Sequence, residues 1–116
     1  MDTNAAPIAY MGTTGMSDQR CPWVNGAESM KQGGKYCALA HAADNNCTGT
    51  TIPTTTVGSK KYLCYDFDGC KAGYPVKVCT FDGAHTPSSV DDGTSAGDDG
   101  LKAFIPPIAW KFIAQF

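Results

Sequence analysis

The stretch from Pro75 to His85, PVKVCTFDGAH, decides the fold of this chain. Its first seven residues alternate in character and are rich in β-branched side chains, which predicts a strand from Pro75 to Phe81. Asp82-Gly83 is a turn pattern that interrupts the strand, and His85 follows it. In α/β sheets, functional residues lie in the loops at the carboxyl ends of strands, so His85 is a candidate site residue.

A second strand is predicted near the start of the chain. Pro7 to Met11 is a short apolar run that stops at Gly12, as expected for a buried strand followed by a loop. This loop, GTTGMSDQRCPW, carries Asp18. An acid after one strand and a histidine after another can meet if the two strands lie side by side and parallel.

Helices and one further strand separate these two segments. Asn25 can cap a first helical segment that continues to Lys31. Gly33-Gly34 interrupts it, and helix resumes from Lys35 to Ala43, in residues that favour helix. A threonine-rich connection then leads to a strand expected from Lys61 to Phe67. After a polar loop, FIPPIAWKFIAQF predicts an amphipathic C-terminal helix, because two prolines precede apolar residues three and four apart.

The order of elements predicts an α/β fold with two βα units and a disulfide-tied hairpin excursion between them. Two buried strands and two helices cannot complete such a sheet, since each buried strand needs neighbours on both sides. We therefore expect residues 1–116 to be the C-terminal segment of a single larger domain, incomplete on its own.

Composition excludes several classes of partner. The chain has 116 residues, 42% of them hydrophobic, and a formal net charge of -2 without a basic block, which argues against nucleic acid. No apolar run reaches the roughly 18 residues of a membrane span, so no membrane is expected. The N-terminus lacks the pattern of a secretory leader, so a secreted protein would need a leader outside this sequence.

Six cysteines indicate an oxidising compartment. Cys64 and Cys70 flank a short turn and form the easiest local pair. Cys47 with Cys79 and Cys21 with Cys37 would complete the set, although a cysteine outside the chain remains an alternative partner. The spacings contain no C-x-x-C, so a zinc site is not expected. The four aspartates of the 91–99 region lack the alternating spacing of a calcium loop.

Asp18 and His85 fit one chemistry. A histidine that accepts a serine proton and later returns it needs a carboxylate to fix its tautomer and stabilise its cation. Acid before histidine is also the chain order of the α/β-hydrolases. Asp2 and Asp82 are rival acids, and Asp18 could instead only cap its turn. His41, on a helical stretch between alanines, is expected to be a surface or packing residue.

Several segments of the chain resemble one protein family. CTFDGAHTPS, followed by an aromatic-rich helix, resembles the C-terminal region of secreted feruloyl esterases, of the carbohydrate esterase family that also holds acetyl xylan esterases and is similar to polyhydroxyalkanoate depolymerases. CTGTT, the Gly69-Cys70 pair and GYPV resemble the same family. PIAYMGTTGMSD resembles its acid-bearing loop, H-G-T-x-D, with Met11 in place of the usual histidine and the acid delayed to Asp18. Ala84 replaces the usual glycine of D-G-G-H.

The resemblance, over residues 7 to 116, implies an α/β-hydrolase that acts as a serine carboxylic ester hydrolase. It implies Asp18 as acid, His85 as base, no cofactor or metal, and secretion. The implied substrate is a feruloylated or acetylated plant polysaccharide or oligosaccharide. The alternative is a small secreted disulfide-rich module that binds a glycan or protein without catalysis.

The motif GTSAG, Gly93 to Gly97, matches the G-x-S-x-G nucleophile elbow, but we do not expect Ser95 to be a nucleophile. It follows the histidine, and it lacks the preceding strand and following helix that such an elbow needs. The family's serine precedes its acid, so the nucleophile is expected in an N-terminal part of the same domain outside this chain. The chain alone is therefore expected to be inactive.

Overall fold

A computed structural model describes residues 6–85 and 105–116 of the chain. It contains three strands, two α-helices and one 3-10 turn. The elements are β1 (Tyr10–Gly15), a 3-10 helix (Glu28–Met30), α1 (Gly34–Asp44), β2 (Tyr62–Asp66), β3 (Val76–Phe81) and α2 (Ile105–Ala114). This is a small mixed α/β arrangement, as the order of predicted elements indicated.

The three strands form one sheet in the order β1-β3-β2. β1 pairs with β3 in parallel, from Tyr10 opposite Val76 to Gly15 opposite Phe81. The predicted side-by-side parallel arrangement of the two strands is confirmed. β2 pairs with the other edge of β3 and is antiparallel to it. The hairpin is thus part of the sheet rather than an excursion from it, and β3 is the central strand.

Side chains of β3 are buried on both faces of the sheet. Val76 and Val78 pack with Ala38 and Ala42 of α1 on one face. Cys79 and Phe81 pack on the other face, with Ile105 and Ile108 of α2 against them. Because a strand points successive side chains to opposite faces, β3 needs buried side chains on both faces, and its β-branched and apolar residues make it the clearest predicted strand.

β1 begins later and ends later than predicted. The sequence predicted a strand over 7–11 and a loop from Gly12, whereas the strand runs from Tyr10 to Gly15. Parallel pairing with β3 supplies backbone hydrogen bonds to Gly12 and the following threonines, which outweighs the weak strand preference of glycine. The extension carries the strand to within three residues of Asp18.

The first helical segment is shorter than predicted. A single 3-10 turn covers Glu28–Met30, with Ala27 rather than Asn25 at its N-cap. Lys31 then adopts a left-handed conformation, with φ 52°, which ends the turn. α1 begins at Gly34 and ends at Asp44, close to the predicted bounds of 35 and 43.

The disulfide pairing predicted from spacing is wrong. The bonds are Cys47–Cys70 and Cys64–Cys79, not Cys64–Cys70 and Cys47–Cys79. Cys64 and Cys79 face each other across the β2–β3 ladder. Cys70 lies beyond the strand, and the backbone hydrogen bond from Thr48 N–H to the Asp68 carbonyl brings the two loops together beside it.

Cys21 and Cys37 were expected to form the third disulfide. Both are free and exposed. Burial, with a smaller contribution from the neighbouring Cys37 side chain, raises the pKa of Tyr10. Two of the three predicted pairs are therefore replaced by other pairs, and the third is absent.

Asn45 ties three segments together at the end of α1. Its side chain is fully buried. The amide nitrogen donates to the carbonyls of Ile8 and Tyr74, and its oxygen accepts the N–H of Ile8. One polar side chain therefore fixes the chain before β1 and the loop before β3 onto the helix. Within residues 6–85 and 105–116, no helix has the length and apolar character required to cross a membrane.

Candidate active site

The site forms where β1 and β3 end at the same edge of the sheet. Beyond β1, the N–H of Met16 donates to the Phe81 carbonyl at 2.9 Å, and the N–H of Ser17 donates to the Gly83 carbonyl at 2.9 Å. The two chain segments thus stay hydrogen-bonded past the ends of their strands. They diverge only at Asp18 and His85, which are left facing each other.

Gly15 makes this close approach possible. A Cβ atom at this position would overlap the backbone carbonyl oxygens of Ala84 and Gly83. These are main-chain atoms of the turn that carries His85, so they cannot rotate away as the end of a side chain could. Glycine is required here because the backbone that leads to Asp18 lies directly against the backbone that leads to His85.

Asp18 is a buried and anchored carboxylate. Its residue exposure is 8%. One oxygen, Oδ1, accepts the N–H groups of Arg20 at 2.8 Å and of Cys21 at 3.0 Å. These backbone bonds fix the orientation of the carboxylate, and its other oxygen, Oδ2, points toward His85.

His85 completes the pair. Its Nδ1 lies 3.0 Å from Asp18 Oδ2, although the two residues are 67 positions apart in sequence. The His85 side chain is 48% exposed, whereas that of Asp18 is 6% exposed. A buried carboxylate therefore holds one edge of an imidazole whose remainder is open to solvent, and a substrate could reach the ring.

The hydrogen bonds keep Asp18 ionised. Burial alone would raise the pKa of this carboxyl, but the bonds from Cys21 N–H, His85 and Arg20 N–H outweigh it, and the pKa lies below its usual value. An ionised carboxylate can only accept, so Nδ1 of His85 must be the donor. In the neutral ring the lone pair then lies on Nε2, the nitrogen that faces away from Asp18.

The rival acid Asp82 does not approach the histidine in this way. Its Oδ2 accepts the N–H of Lys60 at 2.8 Å, and this bond ties the turn to the loop before β2. The rings of His41 and Tyr10 stack with centroids 4.3 Å apart, so His41 is the packing residue that was expected. Asp2, Ser95 and the 91–99 aspartates lie outside the described residues.

Sequence reasoning missed the third side chain at this site. Cys21 lies three residues after Asp18 in the same turn, and one potential metal-ligand atom from each of Asp18, Cys21 and His85 lies within 4.8 Å of the other two. The expectation of a Cys21–Cys37 disulfide concealed this arrangement. The Asp-x-x-Cys spacing in the loop after β1 is a signal that could have indicated it, had Cys21 not been assigned to a disulfide.

Comparison with known proteins relates the chain to one group of hydrolases. No family model matches the sequence. The chain is 31% identical over 106 residues, 91% of its length, to "Probable feruloyl esterase C" of Aspergillus oryzae. It is 30% identical over 106 residues to the protein of the same name from Aspergillus clavatus, and 31% identical over 99 residues to "Feruloyl esterase C" of Emericella nidulans. The chain is therefore a feruloyl-esterase-related region.

These matches cover only part of each relative. The chain spans about a third of the length of the curated relatives it matches, 33% for the Aspergillus oryzae and Emericella nidulans proteins and 32% for the Aspergillus clavatus protein. The similarity therefore concerns one region of those enzymes.

Proposed function

We propose that this chain supplies the acid and the base of a serine esterase, with the fold of an α/β-hydrolase. The observation that carries the proposal is the 3.0 Å contact between His85 Nδ1 and Asp18 Oδ2 at the carboxyl ends of two adjacent parallel strands. Similarity to proteins named feruloyl esterase C supports the same conclusion. Residues 1–116 would form one segment of a single catalytic domain.

In the proposed reaction His85 acts as the general base. Its Nε2 takes the proton of a serine hydroxyl while the serine oxygen attacks the ester carbonyl. The imidazolium that forms is stabilised by the ionised Asp18, whose other oxygen is already held by two backbone N–H groups. Nε2 then returns the proton to the departing alcohol oxygen, and a water molecule repeats the sequence to release the acid.

The serine nucleophile and the oxyanion hole lie, in this proposal, in sequence outside this chain. The partner of the chain is then the N-terminal part of the same domain. The chain alone is expected to leave esters intact, apart from the slow hydrolysis of activated esters that free imidazole also performs. No cofactor enters the proposed mechanism.

The proposed substrates are feruloyl or acetyl esters of plant cell-wall polysaccharides and oligosaccharides. The names of the relatives support the feruloyl ester. Two disulfides within the described residues support a protein that works in an oxidising, extracellular environment. We therefore propose secretion.

Hydrolysis of methyl ferulate by the chain joined to the serine-bearing part of its domain tests the proposal. His85→Ala should abolish nearly all turnover because no other group takes the serine proton. His41→Ala is the matched control, since it removes the other histidine of the chain and should leave turnover largely intact. Asp18→Asn should cost about as much as or less than the loss of His85, and the same change in a serine protease costs about 10⁴ in turnover.

Ser95 provides a second control. Ser95→Ala should change the rate by no more than a small factor. Loss of activity in Ser95→Ala, with activity retained in His85→Ala, would reverse the assignment of base and nucleophile. An intact domain that hydrolyses no ester but retains glycans would instead favour a binding module without catalysis.

A further inference from the structure

We propose that Asp18, Cys21 and His85 form a binding site for a thiophilic divalent metal ion, of which Zn²⁺ is the type. The three side chains contribute one oxygen, one sulfur and one nitrogen atom within 4.8 Å of one another. Zinc sites in proteins are built from these donors, and sites with three protein ligands keep a fourth position for water or another ligand.

The separations suit a small tetrahedral ion. Zinc–ligand bonds of about 2.0–2.3 Å bring neighbouring ligand atoms to about 3.3–3.6 Å from one another. The Asp18 and His85 atoms that form the hydrogen bond are already 3.0 Å apart. The Cys21 sulfur lies within 4.8 Å of both atoms, so a movement of at most about 1.5 Å brings it to bonding range, and rotation of an exposed side chain can supply that.

The charges of the donors match a dication. An ionised Asp18, a Cys21 thiolate and a neutral His85 together carry two negative charges, which a divalent ion neutralises. Sulfur and nitrogen donors select zinc and similar ions, whereas calcium and magnesium prefer ligand sets made of oxygen. A calcium-type or magnesium-type site is therefore disfavoured by Cys21.

The site is also accessible and partly preorganised. Asp18 is held by the backbone N–H groups of Arg20 and Cys21, so the carboxylate direction is fixed before any ion arrives. Cys21 and His85 are exposed, which gives the ion a path from solvent. Cys21 forms no disulfide with any cysteine of the described residues.

His85 cannot bind the metal ion and act as a general base at the same time. This consequence rests on the proposed function, whereas the metal binding itself does not. His85 Nδ1 is the ring nitrogen that lies beside Asp18 Oδ2, so the ion binds at Nδ1. An ion on Nδ1 forces the ring proton onto Nε2, which then has no lone pair to accept the serine proton. Bound metal therefore inactivates the base, and the ion would act as a reversible inhibitor.

Cobalt(II) chloride and zinc chloride, added to the whole chain, test the binding without any ester. Co²⁺ should produce a sulfur-to-cobalt charge-transfer band that saturates at one ion per chain, and Zn²⁺ should abolish it. Cys21→Ser should remove the band and weaken Zn²⁺ binding at least about tenfold. Cys37→Ser is the matched control, because it removes the other free thiol and should leave band and affinity unchanged.

A second measurement needs no variant. Zn²⁺ should slow alkylation of the Cys21 thiol by iodoacetamide about tenfold or more, with the alkylated peptides separated by mass spectrometry, while alkylation of Cys37 continues at its original rate. Absence of the cobalt band in the reduced-thiol chain, or equal protection of Cys37, would overturn the site. An inactive esterase with an intact cobalt band would contradict the proposed function alone.

Discussion

Gly15 lies in backbone contact with Ala84. Gly15 is three positions before Asp18, and Ala84 is one position before His85. A Cβ at Gly15 would overlap the Ala84 carbonyl oxygen. The spacing between the two backbones therefore sets the distance between Asp18 and His85. A glycine with no chemical role of its own determines whether the two side chains can meet.

Gly15→Ala should destabilise the chain by about 1–3 kcal/mol, the usual cost of forcing an extra carbon into a packed site. Gly12→Ala is the matched control in the same strand. There the three atoms nearest to the added Cβ all belong to the Tyr10 side chain and none to the backbone, so the overlap is with a ring rather than with main chain. Urea unfolding of both variants measures the difference. Equal costs at the two positions would contradict the backbone contact.

The disulfide bonds give a second prediction. Peptide mapping under non-reducing conditions should find Cys47 joined to Cys70 and Cys64 joined to Cys79, with two free thiols per denatured chain. Replacement of Cys64 and Cys79 by alanine should lower the free energy of unfolding by about 3 kcal/mol, because that bond closes a loop with a sequence separation of 15. A peptide that joins Cys64 to Cys70 would refute the pairing.

Acid should remove the contribution of Asp18 to stability. Its pKa in the folded chain lies below the unfolded value of 3.8, so its stabilisation is complete above that value and is lost as the pH falls through the folded pKa. Asp18→Asn should therefore lose less free energy of unfolding on acidification than the native chain does. Urea titrations on both sides of this range measure it.

Asp82 serves as the comparison for that experiment. Hydrogen bonds from the N–H groups of Lys60 and Gly58 lower the pKa of this carboxyl as well. Asp82→Asn should also reduce the loss of the free energy of unfolding on acidification. The effects of the two substitutions should add, because the two carboxylates accept hydrogen bonds from different donors. An Asp18→Asn chain as acid-sensitive as the native one would mean that the hydrogen bonds of Asp18 to Cys21, His85 and Arg20 do not persist in solution.

Asn45→Ala should be among the most damaging single substitutions. It would leave the N–H and carbonyl of Ile8 and the carbonyl of Tyr74 without their side-chain partner, at about 1–3 kcal/mol for each group that water cannot reach. Asn25→Ala is the control, since Asn25 is exposed and its backbone N–H donates to Gln32 regardless of its side chain. Thermal unfolding of the two variants should differ clearly.

The elements that sequence predicted best are those whose signal is local. β3 alternates and is β-branched along its whole length, and α1 and α2 carry helix-favouring or amphipathic patterns, so their positions follow from short-range preferences. The meeting of Asp18 and His85 was also predictable, because it needs only that β1 and β3 be parallel neighbours.

The features that sequence did not predict depend on pairing between distant segments. The extension of β1 through Gly12 to Gly15 comes from hydrogen bonds to β3, which no local preference reports. The Cys64–Cys79 bond follows from the register of β2 on β3, whereas proximity in sequence favoured Cys70. The Cys21 position became visible only once that cysteine was found unpaired.

The long separation between β1 and β3 has a consequence for the order of folding. The β2–β3 hairpin joins nearby residues and is closed by its own disulfide, whereas Asp18 and His85 are 67 positions apart. Closing the larger loop costs more chain entropy, so we expect the hairpin to assemble early and β1 to dock late. Amide protons of β1 should then gain protection from exchange after those of β2 during refolding, and the acid and the histidine should meet only in the last step.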